Sequence, residues 1–150
     1  ELNGFNPFPP NKPYYDDEFR NIVVKTCPIF SVSSDAVSIS YTSESNRINR
    51  IWTFQPYAFQ IEDAVDGERN SSINRYLHTV ADVEKYPGHL VINSGKFKYR
   101  VTWSGADSVS FHKGRLWRAY GMAEDASTIC FSSRKGLSWQ GAISVENIER

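Results

Sequence analysis

Hydrophobic and polar positions alternate along most of the chain. Val37, Ile39 and Tyr41 are interleaved with Ser38, Ser40 and Thr42, the period-two pattern of a half-buried strand. Ile29 to Val32 precedes it, and Ser33-Ser34-Asp35 between the two runs has the composition of a hairpin turn. Ile48 to Phe54 and Tyr57 to Ile61 predict two further strands, separated by Gln55-Pro56. His89 to Ile92, Lys96 to Trp103, a strand through Val109 and Phe111, Arg115 to Tyr120, Thr128 to Ser132 and Trp139 to Val145 continue the series. Turns are expected at Asn93-Ser94-Gly95, His112-Lys113-Gly114 and Arg134-Lys135-Gly136.

Two stretches break the alternation. Glu62 to Glu68 holds four acidic residues and Gly67 and reads as a solvated loop. Beyond it, Ile73, Tyr76, Leu77, Val80 and Val83 fall on one face at a 3.6-residue period, with Ser71 or Ser72 to cap and Pro87-Gly88 to stop. This spacing predicts one principal helix over about 71–85. The expected fold class is α+β, mainly β: an antiparallel sheet or sandwich with that helix packed on it.

The N-terminal residues have a different composition. In 1–15, Pro7, Pro9, Pro10 and Pro13 are interspersed with Phe5, Phe8, Tyr14 and Tyr15. Proline lacks a backbone donor, so an extended arm is expected there and a single globular domain over 16–150. The 150-residue length suits one domain, and 40% hydrophobic residues suffice for a core.

The chain starts at Glu1 without a basic and apolar leader, which reads as a mature chain whose leader has been removed. Cys27 and Cys130 are the two cysteines. Paired, they close a loop of roughly 104 residues, for about 4–5 kcal/mol. Such a bond belongs to an oxidising compartment. Asn70-Ser71-Ser72 is an N-glycosylation sequon. A secreted, extracellular, monomeric protein is the expectation, with no stretch apolar enough to insert in a membrane as a helix.

Charge sharpens the picture. Lys plus Arg and Asp plus Glu balance at 17 each, against a globally basic binder. Yet from Ser94 to Tyr120 six basic residues oppose Asp107 alone, a local net +5. Lys96, Lys98 and Arg100 share one strand face, and a meander would bring Arg115 or Arg118 to it. Lys96, Lys98, Arg100, Lys113, Arg115 and Arg118, with Trp117 between two of the arginines, are therefore the candidate binding residues for an anionic surface such as RNA or an acidic glycan. A solvated sheet face is the bland alternative.

No complete catalytic motif is present. His89, His112, Glu84, Arg100 and Arg115 are the residue types that an RNA-cleaving site would use as acid, base and cation. Small secreted microbial ribonucleases are similar in size and in a helix on an antiparallel sheet, but their catalytic strand motifs have no match here. His78, His89 and His112 lack metal-ligand spacing, so no metal is expected, and no nucleotide loop calls for a cofactor. The leading expectation is a secreted, non-catalytic interaction module. In general terms the chain is similar to small secreted effectors of plant-pathogenic fungi, which implies a virulence role and a host or partner protein. A ribonuclease-like enzyme and a glycan-binding module that stacks tryptophans on sugars are the alternatives.

Overall fold

The structure, a computed structural model, describes residues 28–43, 46–66, 72–119, 121–134 and 138–148. The expected arm over 1–15, Cys27 and Asn70 lie outside these residues. The described chain is all β. Its strands are β1 (Ile29–Val32), β2 (Ala36–Ser43), β3 (Asn46–Gln55), β4 (Ala58–Asp66), β5 (Ile73–Thr79), β6 (Asp82–Tyr86), β7 (His89–Ser94), β8 (Phe97–Ser104), β9 (Ser108–Ala119), β10 (Met122–Ser133) and β11 (Ser138–Ile148). They form a large sheet, β1-β2-β3-β4-β11-β8-β7-β6, and a small one, β5-β10-β9. All pairings are antiparallel.

The helix expected over about 71–85 is not formed. The segment is β5, a bend at Val80-Ala81, and β6. The inward positions of β5 are Ile73, Arg75 and Leu77, and both Ile73 and Arg75 are buried. Arg75 is a charge in a core slot, which disguised the period of two and left the apolar residues looking helical. The β-branched Ile73, Thr79, Val80 and Val83 favour the strand state that pairing selects. Thr79 Oγ1 accepts the Ala81 N–H at 3.0 Å and fixes the bend.

Two other expectations change. The acidic stretch from Glu62 to Asp66 is the second half of β4, with Asp63 buried. The turn expected at His112-Lys113-Gly114 is instead the middle of β9, held in register by β10 from Ser108 to Ala119. The turn at Ser33-Ser34-Asp35 does join β1 to β2, with Ser33 N–H donating to Ala36 O at 2.8 Å.

Leu90, Ile92, Val101, Ile129, Phe131 and Trp139 form the core between the sheets, flanked by Ile61, Leu77, Trp103, Val109, Phe111 and Ile143. The passage from β8 to β9 carries the chain from one sheet to the other. Gly105 makes it with φ +78°, and a Cβ there would stand 2.5 Å from the Ser138 carbonyl oxygen. Asp107, the one acid of the basic segment, accepts the Arg134 N–H at 2.6 Å and fixes the far side of this crossing.

Candidate functional site

Alternation along β4, β11 and β8 sends one set of side chains into the core and the other outward. Trp139, Gly141 and Ile143 face in; Gln140, Ala142 and Ser144 face out. Register then lines up the outward residues across the sheet. One row is Ser104, Gln140, Glu62; the next is Thr102, Ala142, Gln60. Together they line a trough of about 340 Å³, with Gly141 and Trp103 completing its walls. The outward-facing Ala142 lacks bulk, so the floor drops between longer flanking side chains. Gln140 Nε2 donates to Glu62 Oε1 at 3.3 Å. The chemistry offered is amide, hydroxyl and one carboxylate, in a polar cleft.

The second row runs on into β7 and β6. His89 lies opposite Thr102, and Tyr86 opposite His89. The Tyr86 and His89 rings stack, with centroids 5.0 Å apart and planes 7° from parallel. Glu84 accepts the Tyr86 hydroxyl at 2.6 Å and Asn93 Nδ2 at 2.8 Å. These bonds, Tyr86's first, hold the Glu84 carboxyl below the usual carboxylate range. The same Glu84 bond raises the Tyr86 phenol above its ordinary value. The Glu84 contribution is therefore present above the unfolded carboxylate pKa and lost as pH falls through the folded one. The Tyr86 contribution is present below the unfolded phenol pKa and lost as pH rises through the folded one. Glu84→Gln is expected to bring the Tyr86 titration, followed by ring carbon NMR, back towards an ordinary phenol. A Tyr86 titration that does not move would show that the bond is not formed in solution.

The structure divides the sequence-predicted binding residues between the sheets. Lys98 and Arg100 lie on β8, and Lys96 in the turn before it. Lys113, Arg115, Trp117 and Arg118 lie on β9, in the small sheet. Because β8 and β9 do not pair, the meander that would join them is absent. Arg100 is bound to Glu146, Lys113 donates to Ser127 Oγ at 3.0 Å, and Arg118 pairs with Glu124 at 3.0 Å. Arg115 reaches Asp125 only at 4.0 Å and sits 5.9 Å from the exposed Trp117 ring. Of the acid–base candidates, Glu84, His89 and Arg100 share the outer face of the large sheet, as the pairs Glu84–Val91 and Val91–Arg100 show. His112 and Arg115 are on the small sheet. Among the described residues no group of three or more His, Cys, Asp or Glu is placed to hold a metal ion, and no helix is long and apolar enough to cross a membrane. Cys130 is buried, its Sγ 3.5 Å from Ser132 Oγ.

Sequence reading missed a second constellation on the inner side of the large sheet. Asp63 accepts Arg50 Nε at 2.6 Å, Arg50 Nη2 at 2.7 Å and Arg75 Nε at 2.7 Å. Arg75 Nη1 donates to Ser133 Oγ at 3.1 Å, so the group bolts β4 to β5 and β10 across the sandwich. Hydrogen bonding to Asp63 raises the Arg50 pKa, whereas burial lowers that of Arg75. The only signal in the sequence was a charged residue in each of three apolar alternations, Ile48-Arg50-Trp52, Ile61-Asp63-Val65 and Ile73-Arg75-Leu77.

No family model and no curated protein matches the sequence. Solved structures do match. A heparinase III gene product superposes with a TM-score of 0.62 at 12% identity, over 83% of this chain and 22% of that one. The heparan sulfate lyase HepC from Pedobacter heparinus gives 0.61 at 13%, over 84% and 22%. The likeness establishes the fold: a two-sheet antiparallel β-sandwich of the kind those lyases contain. This chain spans about a fifth of their length.

Proposed function

We propose that the chain is a glycan-binding β-sandwich module, working as part of or alongside a polysaccharide-acting protein, and that the outer trough of the large sheet receives the saccharide. The observation that carries this reading is the trough itself. Its volume is within the range of ligand sites, and its lining suits sugar hydroxyls. Each glutamine amide offers a donor and an acceptor in one plane, and Thr102 and Ser104 can do either. From β7 to β4 is three strand spacings, about 14–15 Å, room for several sugar rings in line. The Tyr86–His89 pair gives a flat aromatic surface at one end. Lys98 and Arg100, the latter paired with Glu146, stand on the same strand as Thr102 and Ser104, so an anionic glycan would meet cationic groups at the edge of the trough by exchanging for the Glu146 contact. Fold likeness to two lyases whose names specify heparin and heparan sulfate supports the same ligand class. The proposal keeps a secreted, extracellular and monomeric protein, with Cys27 and Cys130 paired. It replaces a host protein by a polysaccharide as the partner.

The test is calorimetric titration with a heparan sulfate tetrasaccharide, against a neutral glucose tetrasaccharide. Saturable binding is expected, stronger for the sulfated chain. Losing two amide contacts costs about 1–3 kcal/mol, so Gln60→Ala with Gln140→Ala should weaken binding about tenfold or more. Arg115→Ala with Arg118→Ala should leave it unchanged. Absence of saturable binding to either glycan, or a glutamine double variant that binds as well as the parent, would refute the reading.

A further inference from the structure

A cavity between the sheets, on the opposite side of β11 from the trough, has an unmatched chemistry. Its walls are mostly apolar, from Leu77, Phe131, Trp139 and Ile143, and among the described residues its only charged ones are Arg50 and Arg75. Asp63 is bonded to both arginines, so one negative charge serves two positive ones and the group keeps a net +1. Arg75 and Trp139 are 4% and 6% exposed. Among the described residues, no acceptor reaches Arg75 Nη2 or Trp139 Nε1. Both residues line this one cavity, the Arg75 guanidinium 5.3 Å from the Trp139 ring centroid.

Buried donors without acceptors are costly, and a buried surplus charge more so. Water satisfies donors but does not neutralise charge. We infer that this cavity binds one carboxylate group, held by Arg75 Nη2 and Trp139 Nε1 and neutralising the Arg50–Asp63–Arg75 group. Two orphan donors match two oxygens. A sulfate would bring four, and two of them would face Leu77, Phe131 and Ile143 unpaired. The free volume, about 50 Å³, has room for one such group where a water needs roughly 10–15 Å³. The half-exposed Arg50 and exposed Tyr76 lie at the cavity wall that reaches solvent. The carboxylate is that of a small free acid or of a uronate unit. The inference stands on this cavity alone and does not depend on glycan binding in the trough.

The test follows the Trp139 indole N–H by proton–nitrogen NMR in the full chain, assigned through Trp139→Phe. Acetate, glucuronate and sulfate are titrated separately at constant ionic strength. A saturable shift with acetate or glucuronate, and none with sulfate, is expected. Tighter saturation by glucuronate would assign the site to uronate units, and tighter saturation by acetate to small free acids. Arg75→Lys keeps the charge but loses the Nη2 donor, and should weaken saturation tenfold or more. Should that variant not fold, Trp139→Phe removes the second donor while keeping the ring shape, and carboxylate binding read on the Arg75 Nε–H should weaken similarly. A shift that never saturates, that sulfate reproduces, or that persists in whichever variant folds, would overturn the inference.

Discussion

Asp63→Ala is expected to lower the stability of the domain by about 3–5 kcal/mol, the usual cost of stranding a buried charge. Asp63 is 5% exposed and is the acceptor for three guanidinium bonds. Without it, Arg75 would remain as a buried cation between Ser133 and the Trp139 ring. Arg50, more exposed, can turn to water. Single domains have about 5–15 kcal/mol in total, so the variant should show a large drop in urea midpoint, with fluorescence and circular dichroism following the same transition. Adding Arg75→Met removes the stranded charge and fills the slot with an apolar chain of similar length. The double variant should therefore recover much of the loss, since apolar replacement of a buried ion pair is often neutral or better. A single variant that loses less than about 1 kcal/mol, the range of an exposed pair, would mean that water reaches this group in solution.

The same two residues explain where sequence reading failed. Most strands announced themselves, because Val37-Ile39-Tyr41 and Phe97-Tyr99-Val101-Trp103 put apolar side chains at every second position. Arg75 occupies such a position as a charge, and without it the remaining apolar residues of 73–83 fit a helix. Asp63 sits among acidic neighbours whose composition suggests a loop. Each is tolerable inside only because the other is there, and that pairing joins different sheets. Sheet membership was hidden for a related reason. Lys98 and Arg115 are near in sequence, yet Gly105 and Asp107 turn the chain into the other layer between them, and the +5 segment becomes two separate faces. The trough was the least legible feature. Gln60, Thr102 and Gln140 belong to no motif, and only the registers β4–β11 and β11–β8 make them neighbours.

Trp139→Ala should be comparably severe, about 3–5 kcal/mol, since it removes a large buried ring and leaves a cavity. The Trp139 ring packs against Phe131, centroids 5.5 Å apart, and lies beside the Arg75 guanidinium. Its seat is the bare backbone of Gly141: a Cβ there would come within 2.3 Å of Trp139 Cη2. Because Trp139 is wedged between Phe131, Arg75 and this backbone, Gly141→Ala alone should cost about 1–3 kcal/mol by overpacking. Gly141 also lines the trough through its backbone, so a shift of that backbone under the overpacked ring should weaken saccharide binding in Gly141→Ala. The two substitutions should not add. Once the ring is gone, the new methyl enters the space it left, and Gly141→Ala in the Trp139→Ala background should be nearly neutral. Urea unfolding of the four proteins gives the coupling directly, with an expected magnitude of at least 1 kcal/mol. Strictly additive losses would show that Trp139 does not rest on Gly141, and would remove the mechanical link between the core and the trough.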